Sequence, residues 1–117
     1  NGSAKRSSTG VLILQTSQFG MDEGEQIDEG VTYATIDGTT SPTTTIYMPS
    51  AATAKFPLTI VNVSETVNAQ LVRDGTDIFL GGDETYDLPF GVLPAGTGVT
   101  WVSNGTDTWY PIAVWET

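Results

Sequence analysis

The stretch Gly98-Val99-Thr100-Trp101-Val102-Ser103-Asn104-Gly105-Thr106-Asp107-Thr108-Trp109-Tyr110 holds two short runs of β-forming residues on either side of an Asn-Gly turn. Each run carries a tryptophan, and the second ends in Trp-Tyr. β-branched and aromatic residues suit a pleated, half-buried surface, and Asn-Gly supplies the tight reversal between two such strands. The stretch predicts a hairpin of Val99 to Ser103 against Trp109 to Trp115, its connection lengthened by Thr106-Asp107. It therefore reads as the closing element of a β-domain.

Composition agrees. The chain has 117 residues, the length of one domain with a modest core. It contains 19 Thr, 13 Gly and 6 Pro, and no long stretch rich in Ala, Leu, Glu and Lys. Threonine favours strands, and glycine and proline favour turns. The expected fold class is all-β: a single small β-sandwich or β-barrel-like domain over residues 11–117, preceded by a flexible N-terminal arm over residues 1–10.

Moving toward the N-terminus, Leu58-Thr59-Ile60-Val61-Asn62-Val63 alternates with apolar groups on both faces, as a central strand does. Val31 to Ile36, Thr43 to Met48, Val67 to Arg73 and Ile78 to Leu80 also read as strands. Pro49 marks a strand end or an exposed edge. Asp74-Gly75 reads as a hairpin turn, and Ser50 to Lys55 as a small-residue connection of at most one helical turn. Pro89 to Pro94 reads as an apolar loop that needs cover from its own core or from another chain. Val11-Leu12-Ile13-Leu14 is a continuous apolar run, read as a strand buried on both faces or against a partner. The total is about eight to nine strands, separated by turn signals roughly every 8–12 residues.

The same composition removes several chemistries. With no His and no Cys, the chain lacks the usual general base near neutral pH and any thiolate. Paired carboxylates alone support glycoside hydrolysis, but no pair stands out, so the chain is read as a non-enzyme with no cofactor and no metal. The formal charge of −10 opposes binding to a nucleic-acid backbone or to an anionic membrane. No apolar run approaches the roughly 20 residues of a membrane-spanning helix. Asp22, Glu23, Glu25, Asp28 and Glu29 crowd one segment, but their spacing is not that of an EF-hand. The segment is read as a solvated acidic loop rather than a cation site. Lys5 and Arg6 lie in the arm, leaving Lys55 and Arg73 as the only cations among all 14 carboxylates. The arm reads as an ordinary frayed terminus or, functionally, as a segment that docks on an acidic neighbour in an assembly.

Trp101, Trp109 and Trp115 raise a choice between an aromatic platform for a sugar and packing of a core or subunit seam. The packing reading is adopted, since aromatic rings contribute large buried areas. Asn62-Val63-Ser64 and Asn104-Gly105-Thr106 match the glycosylation pattern, but a strand and a turn account for them. The residues expected at protein interfaces are Lys5, Arg6, Val11, Leu12, Ile13, Leu14, Tyr86, Leu88, Phe90, Leu93, Trp101, Trp109 and Trp115.

Four segments carry a resemblance. Thr44-Thr45-Ile46-Tyr47-Met48-Pro49-Ser50-Ala51 resembles the threonine run and Leu-Pro-Ser-Ala strand end of small surface modules of tailed-bacteriophage virions. Pro57-Leu58-Thr59-Ile60-Val61-Asn62-Val63-Ser64 resembles their next strand. Asp77-Ile78-Phe79-Leu80-Gly81-Gly82 occupies the place of their Asp-x-Ile-x-Gly segment. Val99 to Tyr110 resembles their closing hairpin, with Trp101 in place of an aliphatic residue and Asp107-Thr108 lengthening the turn. The resemblance spans residues 31–115. It implies a structural protein that commonly forms homotrimers: a capsid decoration (cement) protein on the outer capsid surface, bound to the major capsid protein. The alternative it implies is a tail-fibre or head-fibre module that binds a host glycan or receptor. Taking the short chain as whole favours decoration, with residues 1–15 clamping a neighbouring capsid protein.

Overall fold

The computed structural model of the chain describes the backbone of residues 4–6, 12–14, 16–80, 87–88 and 90–116, and the side chains of residues 16–80 and 92–112. Among the described residues there is no helix, and the all-β expectation holds. The strands are β1 (Ala4–Arg6), β2 (Leu12–Leu14), β3 (Ser17–Met21), β4 (Tyr33–Ile36), β5 (Thr43–Tyr47) and β6 (Leu58–Asn62). They continue with β7 (Asn68–Val72), β8 (Ile78–Leu80), β9 (Asp87–Leu88), β10 (Phe90–Leu93), β11 (Thr97–Ser103) and β12 (Thr108–Glu116). The larger sheet has the order β3-β4-β6-β11-β12-β8-β9, and the smaller β10-β7-β5. Among the described residues, strands β1 and β2 pair only with each other, so Ala4–Arg6 of the expected arm forms a ladder with Leu12–Leu14.

The β11–β12 hairpin lies in the middle of the larger sheet, with β6 on one side and β8 on the other. Its turn is built by one side chain. Asn104 Oδ1 accepts hydrogen bonds from the backbone N–H groups of Thr106 (2.8 Å), Asp107 (2.9 Å) and Thr108 (3.1 Å). Gly105 takes a φ of 83°, a conformation that costs glycine nothing. This is the asparagine turn that the sequence announces, widened to admit Thr106 and Asp107.

Two expectations are corrected. Asp74-Gly75 does form a tight turn, closed by Asp77 N–H to Asp74 C=O at 3.0 Å. It does not make a hairpin, because both edges of β7 are already taken by β5 and β10. The turn instead passes the chain into the larger sheet, where β8 runs parallel to β12. The segment read as an apolar loop contains β10, antiparallel to β7 with Leu93 opposite Ala69. Flanking prolines hid it. Pro89 and Pro94 read as loop residues, yet β10 spans the four residues between them in sequence, Phe90–Leu93. The strand total also exceeds the expected eight to nine, because β1, β3, β9 and β10 are short edge or end pieces without a strong alternation of their own.

Both sheets feed one core. Ile46, Leu71 and Leu93 from the smaller sheet join Ile36, Ile60, Phe79, Trp101 and Trp109 from the larger. The rings of Phe79 and Trp101 lie 5.0 Å apart and tilted by 57°, a favoured aromatic geometry. Strand β6 is central, as its two apolar faces predicted, with Leu58, Ile60 and Asn62 turned inward.

Asn62 is fully buried and fully bonded. Its Nδ2 donates to the carbonyls of Val67 (2.9 Å) and Leu93 (3.0 Å), and its Oδ1 accepts from Ser64 N–H (3.1 Å). The side chain thus links the end of β6 to the approach of β7 and the end of β10. Both amide hydrogens are used inside the protein, which removes Asn62 as a glycan acceptor in the folded chain. Replacing it by leucine strands two buried carbonyls and one N–H, each worth roughly 1–3 kcal/mol. Asn62→Leu is expected to lower unfolding free energy by about 3 kcal/mol or more, read from the urea midpoint. An unchanged midpoint contradicts the linking role.

Candidate functional site

The expected interface residues divide into three groups. Val11 and Tyr86 lie outside the described residues. For Lys5, Arg6, Leu12, Ile13, Leu14, Leu88, Phe90 and Trp115 only the backbone is described, in β1, β2, β9, β10 and β12, and their side chains lie outside the described residues. Leu93, Trp101 and Trp109 are buried at 3%, 7% and 0% exposure in the chain's own core. Of the two packing alternatives, core or subunit seam, the core accounts for their burial. The two indoles also form no exposed platform for a sugar. Their Nε1–H groups are buried without a hydrogen-bond partner, which costs about 1–3 kcal/mol each. Burying a ring of 150–250 Å² at about 25 cal/mol per Å² returns roughly 4–6 kcal/mol, so packing wins.

The acidic segment is exposed, as expected, yet its groups are engaged. Asp22 accepts from Thr39 Oγ1 (2.7 Å), Thr39 N–H (2.9 Å) and Glu23 N–H (2.7 Å). Glu23 accepts from Thr45 N–H at 2.8 Å and Glu25 from Asp22 N–H at 2.7 Å. The backbone adds Gly24 N–H to Thr45 C=O, Tyr47 N–H to Glu25 C=O and Ile27 N–H to Tyr47 C=O. The segment is a strap along the free edge of β5, anchored by the buried Ile27. Among the described residues no three carboxylates converge as metal ligands.

Among residues 16–80 and 92–112, charge is confined to connections. Every carboxylate whose side chain is described, from Asp22 to Asp107, lies between strands. On the larger sheet, alternation and register place Phe19, Tyr33, Thr59, Val61, Thr100, Val102, Tyr110 and Ile112 on the face away from the core. None is charged. Phe19 and Ile112 are 68% and 60% exposed, and Phe19 packs on Tyr33 with ring centroids 5.9 Å apart. Thr59 and Thr100 share a hydroxyl hydrogen bond of 2.9 Å across β6 and β11. The outer face of the smaller sheet repeats the pattern with Thr43, Thr45, Tyr47 and Val92.

A cleft of about 380 Å³ opens beside the larger sheet. Val31, Leu58 and Trp109 make its buried wall, while Glu29, Lys55 and Phe56 stand exposed at its mouth. One side is the connection of residues 49–56, held by Ala51. Its N–H donates to Asp77 Oδ2 at 2.8 Å, and its carbonyl accepts from the Ser103 hydroxyl. Sequence reasoning missed this cleft, because its wall comes from segments that meet only in the fold.

Neither a protein-family model nor a curated protein nor a solved structure matches the chain.

The Asp22 bonds, the Thr39 hydroxyl first, hold its carboxyl below the usual aspartate value. A carboxyl lowered in the fold contributes stability above its unfolded pKa and loses it as pH falls through the folded value. Between about pH 5 and pH 2, the melting temperature of Asp22→Asn is expected to fall less steeply than that of the parent. Parallel curves in thermal melts across that range contradict the assignment.

Proposed function

We propose that the chain is a structural protein of a tailed-bacteriophage virion. In this reading it is a two-layer β-sandwich that binds the outer capsid surface as a decoration protein and reinforces contacts between capsid subunits. The observation that carries this reading is the separation of charge from the sheet faces among residues 16–80 and 92–112. A chain of net charge −10 repels its own copies and other acidic surfaces. Only faces free of carboxylates approach a partner without that repulsion, and the two sheets offer broad, threonine-rich faces dotted with Phe19, Tyr33, Tyr110 and Ile112. The four segments that carry the family resemblance support it further, since they fall on β5, β6, β8 and the β11–β12 hairpin.

The mechanism is binding alone. Each copy contributes apolar burial, at about 25 cal/mol per Å², and symmetry multiplies a modest single contact into strong reinforcement. The partners are other copies in a homotrimer and the major capsid protein, with Lys5 and Arg6 of the arm directed to acidic capsid groups. The carboxylate-rich connections stay in water and keep the free protein soluble.

Purified heads are expected to carry the protein at a copy number set by capsid symmetry, counted by quantitative mass spectrometry and located by electron microscopy. Adsorption to host cells with no head-bound copies overturns the reading in favour of a fibre module. Ile112→Asp, an exposed change, is expected to weaken binding to undecorated heads at least tenfold, about 1.4 kcal/mol, while leaving the melting temperature unchanged. Undiminished binding removes the larger sheet face from the contact.

A further inference from the structure

We propose that the cleft walled by Val31, Phe56, Leu58 and Trp109 binds a neutral sugar of one or two pyranose rings. This goes beyond the virion reading and stands apart from it, since it rests on the cleft alone.

The cleft is preformed. On one side, the connection of residues 49–56 is held at Ala51. Its N–H donates to Asp77 Oδ2 at 2.8 Å, and its carbonyl accepts from the Ser103 hydroxyl. On the other side, Thr32 N–H donates to Thr16 C=O at 2.7 Å and Val31 N–H to Asp28 C=O at 3.3 Å, while Thr32 C=O accepts from Thr59 N–H at 3.0 Å. A ligand therefore meets two fixed walls, and little free energy is lost in ordering them. The space of about 380 Å³ is that of a small-molecule site.

Charge narrows the occupant first. Glu29 and Lys55 place one charge of each sign on the lining. The chain's net charge of −10 opposes an anion such as a phosphate or a fatty acid, and Lys55 opposes an organic cation. The occupant is neutral.

Hydrogen bonding narrows it further. Thr16, Thr32, Ser50 and Thr53 all line the cleft. Thr32 and Thr53 already donate their hydroxyl hydrogens, to the carbonyls of Thr16 (3.3 Å) and Ser50 (3.2 Å), so their oxygens are left to accept. Ser50 Oγ accepts from Ala52 N–H at 3.2 Å and keeps its hydrogen to donate. The Glu29 carboxylate accepts and the Lys55 ammonium donates. A purely apolar occupant would cover these groups without replacing their water, at a cost. An occupant rich in hydroxyls replaces it, because each hydroxyl both donates and accepts.

The wall supplies the last constraint. Val31, Leu58 and Trp109 are buried, whereas Phe56 is 68% exposed. An open-chain polyol has no apolar face to set against them. A pyranose has one, where ring C–H bonds gather on one side and match the negative face of an aromatic ring. Phe56 is the platform that the buried indoles do not provide. Repeated over many copies on an assembly, one weak site of this kind becomes a strong attachment.

The test uses the full chain in solution, without capsids, so its failure leaves the virion reading untouched. Methyl pyranosides of glucose, galactose, mannose and N-acetylglucosamine, together with maltose, cellobiose, lactose and chitobiose, are titrated into isotope-labelled protein and followed by NMR. At least one of these sugars is expected to move the Thr32, Thr53 and Phe56 amides saturably, with a Kd of about 1 mM or tighter. Phe56→Ala is expected to weaken that sugar at least about tenfold, and Phe56→Tyr to retain it, because tyrosine keeps the aromatic face. Both variants are expected to melt with the parent, since the side chain is exposed. Benzylamine and benzoate serve as a cation and an anion with an apolar ring. Saturable binding of either at these amides, with no sugar bound, overturns the proposal. So does a complete titration in which no sugar moves them, or a bound sugar whose affinity Phe56→Ala leaves unchanged.

Discussion

Asn62 donates both amide hydrogens to carbonyls that would otherwise be buried without partners, one before β7 and one at the end of β10. One carbonyl lies just before the smaller sheet and one within it, and the amide belongs to the larger sheet. A buried carbonyl left unpaired costs far more than a hydrogen bond returns on average, so the sheets are compelled to meet where this side chain can reach both. Packing alone would tolerate some sliding, because Ile, Leu and Val contacts are not directional. The amide is directional, and it sets the alignment in which Leu93, Ile60 and Trp101 share one core. Ser64 completes the arrangement by accepting from Thr66 and Val67 N–H, which turns the chain from β6 toward β7.

With the sheets aligned, the connections become the place for charge. Where side chains are described, strand positions face either the core or a threonine-rich surface, and the acidic residues fall into turns and straps. Several of them act locally before they act as charges. Asp22 gathers Thr39 and Glu23, Glu23 holds Thr45, and Asp77 holds Ala51 at the edge of the cleft. The acidic segment thereby extends the edge of β5 while leaving the sheet faces neutral.

Much of this was legible in residues near one another. Alternation in Leu58 to Val63 predicted a central strand, and Asn104-Gly105 predicted the turn of the β11–β12 hairpin. What misled was also local. Asp74-Gly75 is a sound turn signal, yet a turn does not state which strands pair on either side of it. Pro89 and Pro94 made β10 look like a loop, although a strand between prolines pairs normally when neither lies within it. Trp101 and Trp109 were readable as packing residues, but whether they packed a core or a seam depended on Phe79, which lies more than twenty residues before Trp101 in the chain.

The sequence by itself determined the class of the fold, the position of its main turns and the chemistries it lacks. These follow from propensity, periodicity and the absence of His and Cys, which are properties of single residues and short windows. Only the tertiary structure decided the parallel pairings, the central position of the closing hairpin, the link made by Asn62, the neutral sheet faces and the cleft beside Trp109. Each of those joins segments far apart in sequence. Their pairing is settled by competition for strand edges and for buried hydrogen-bond partners over the whole chain, and no short window contains that competition.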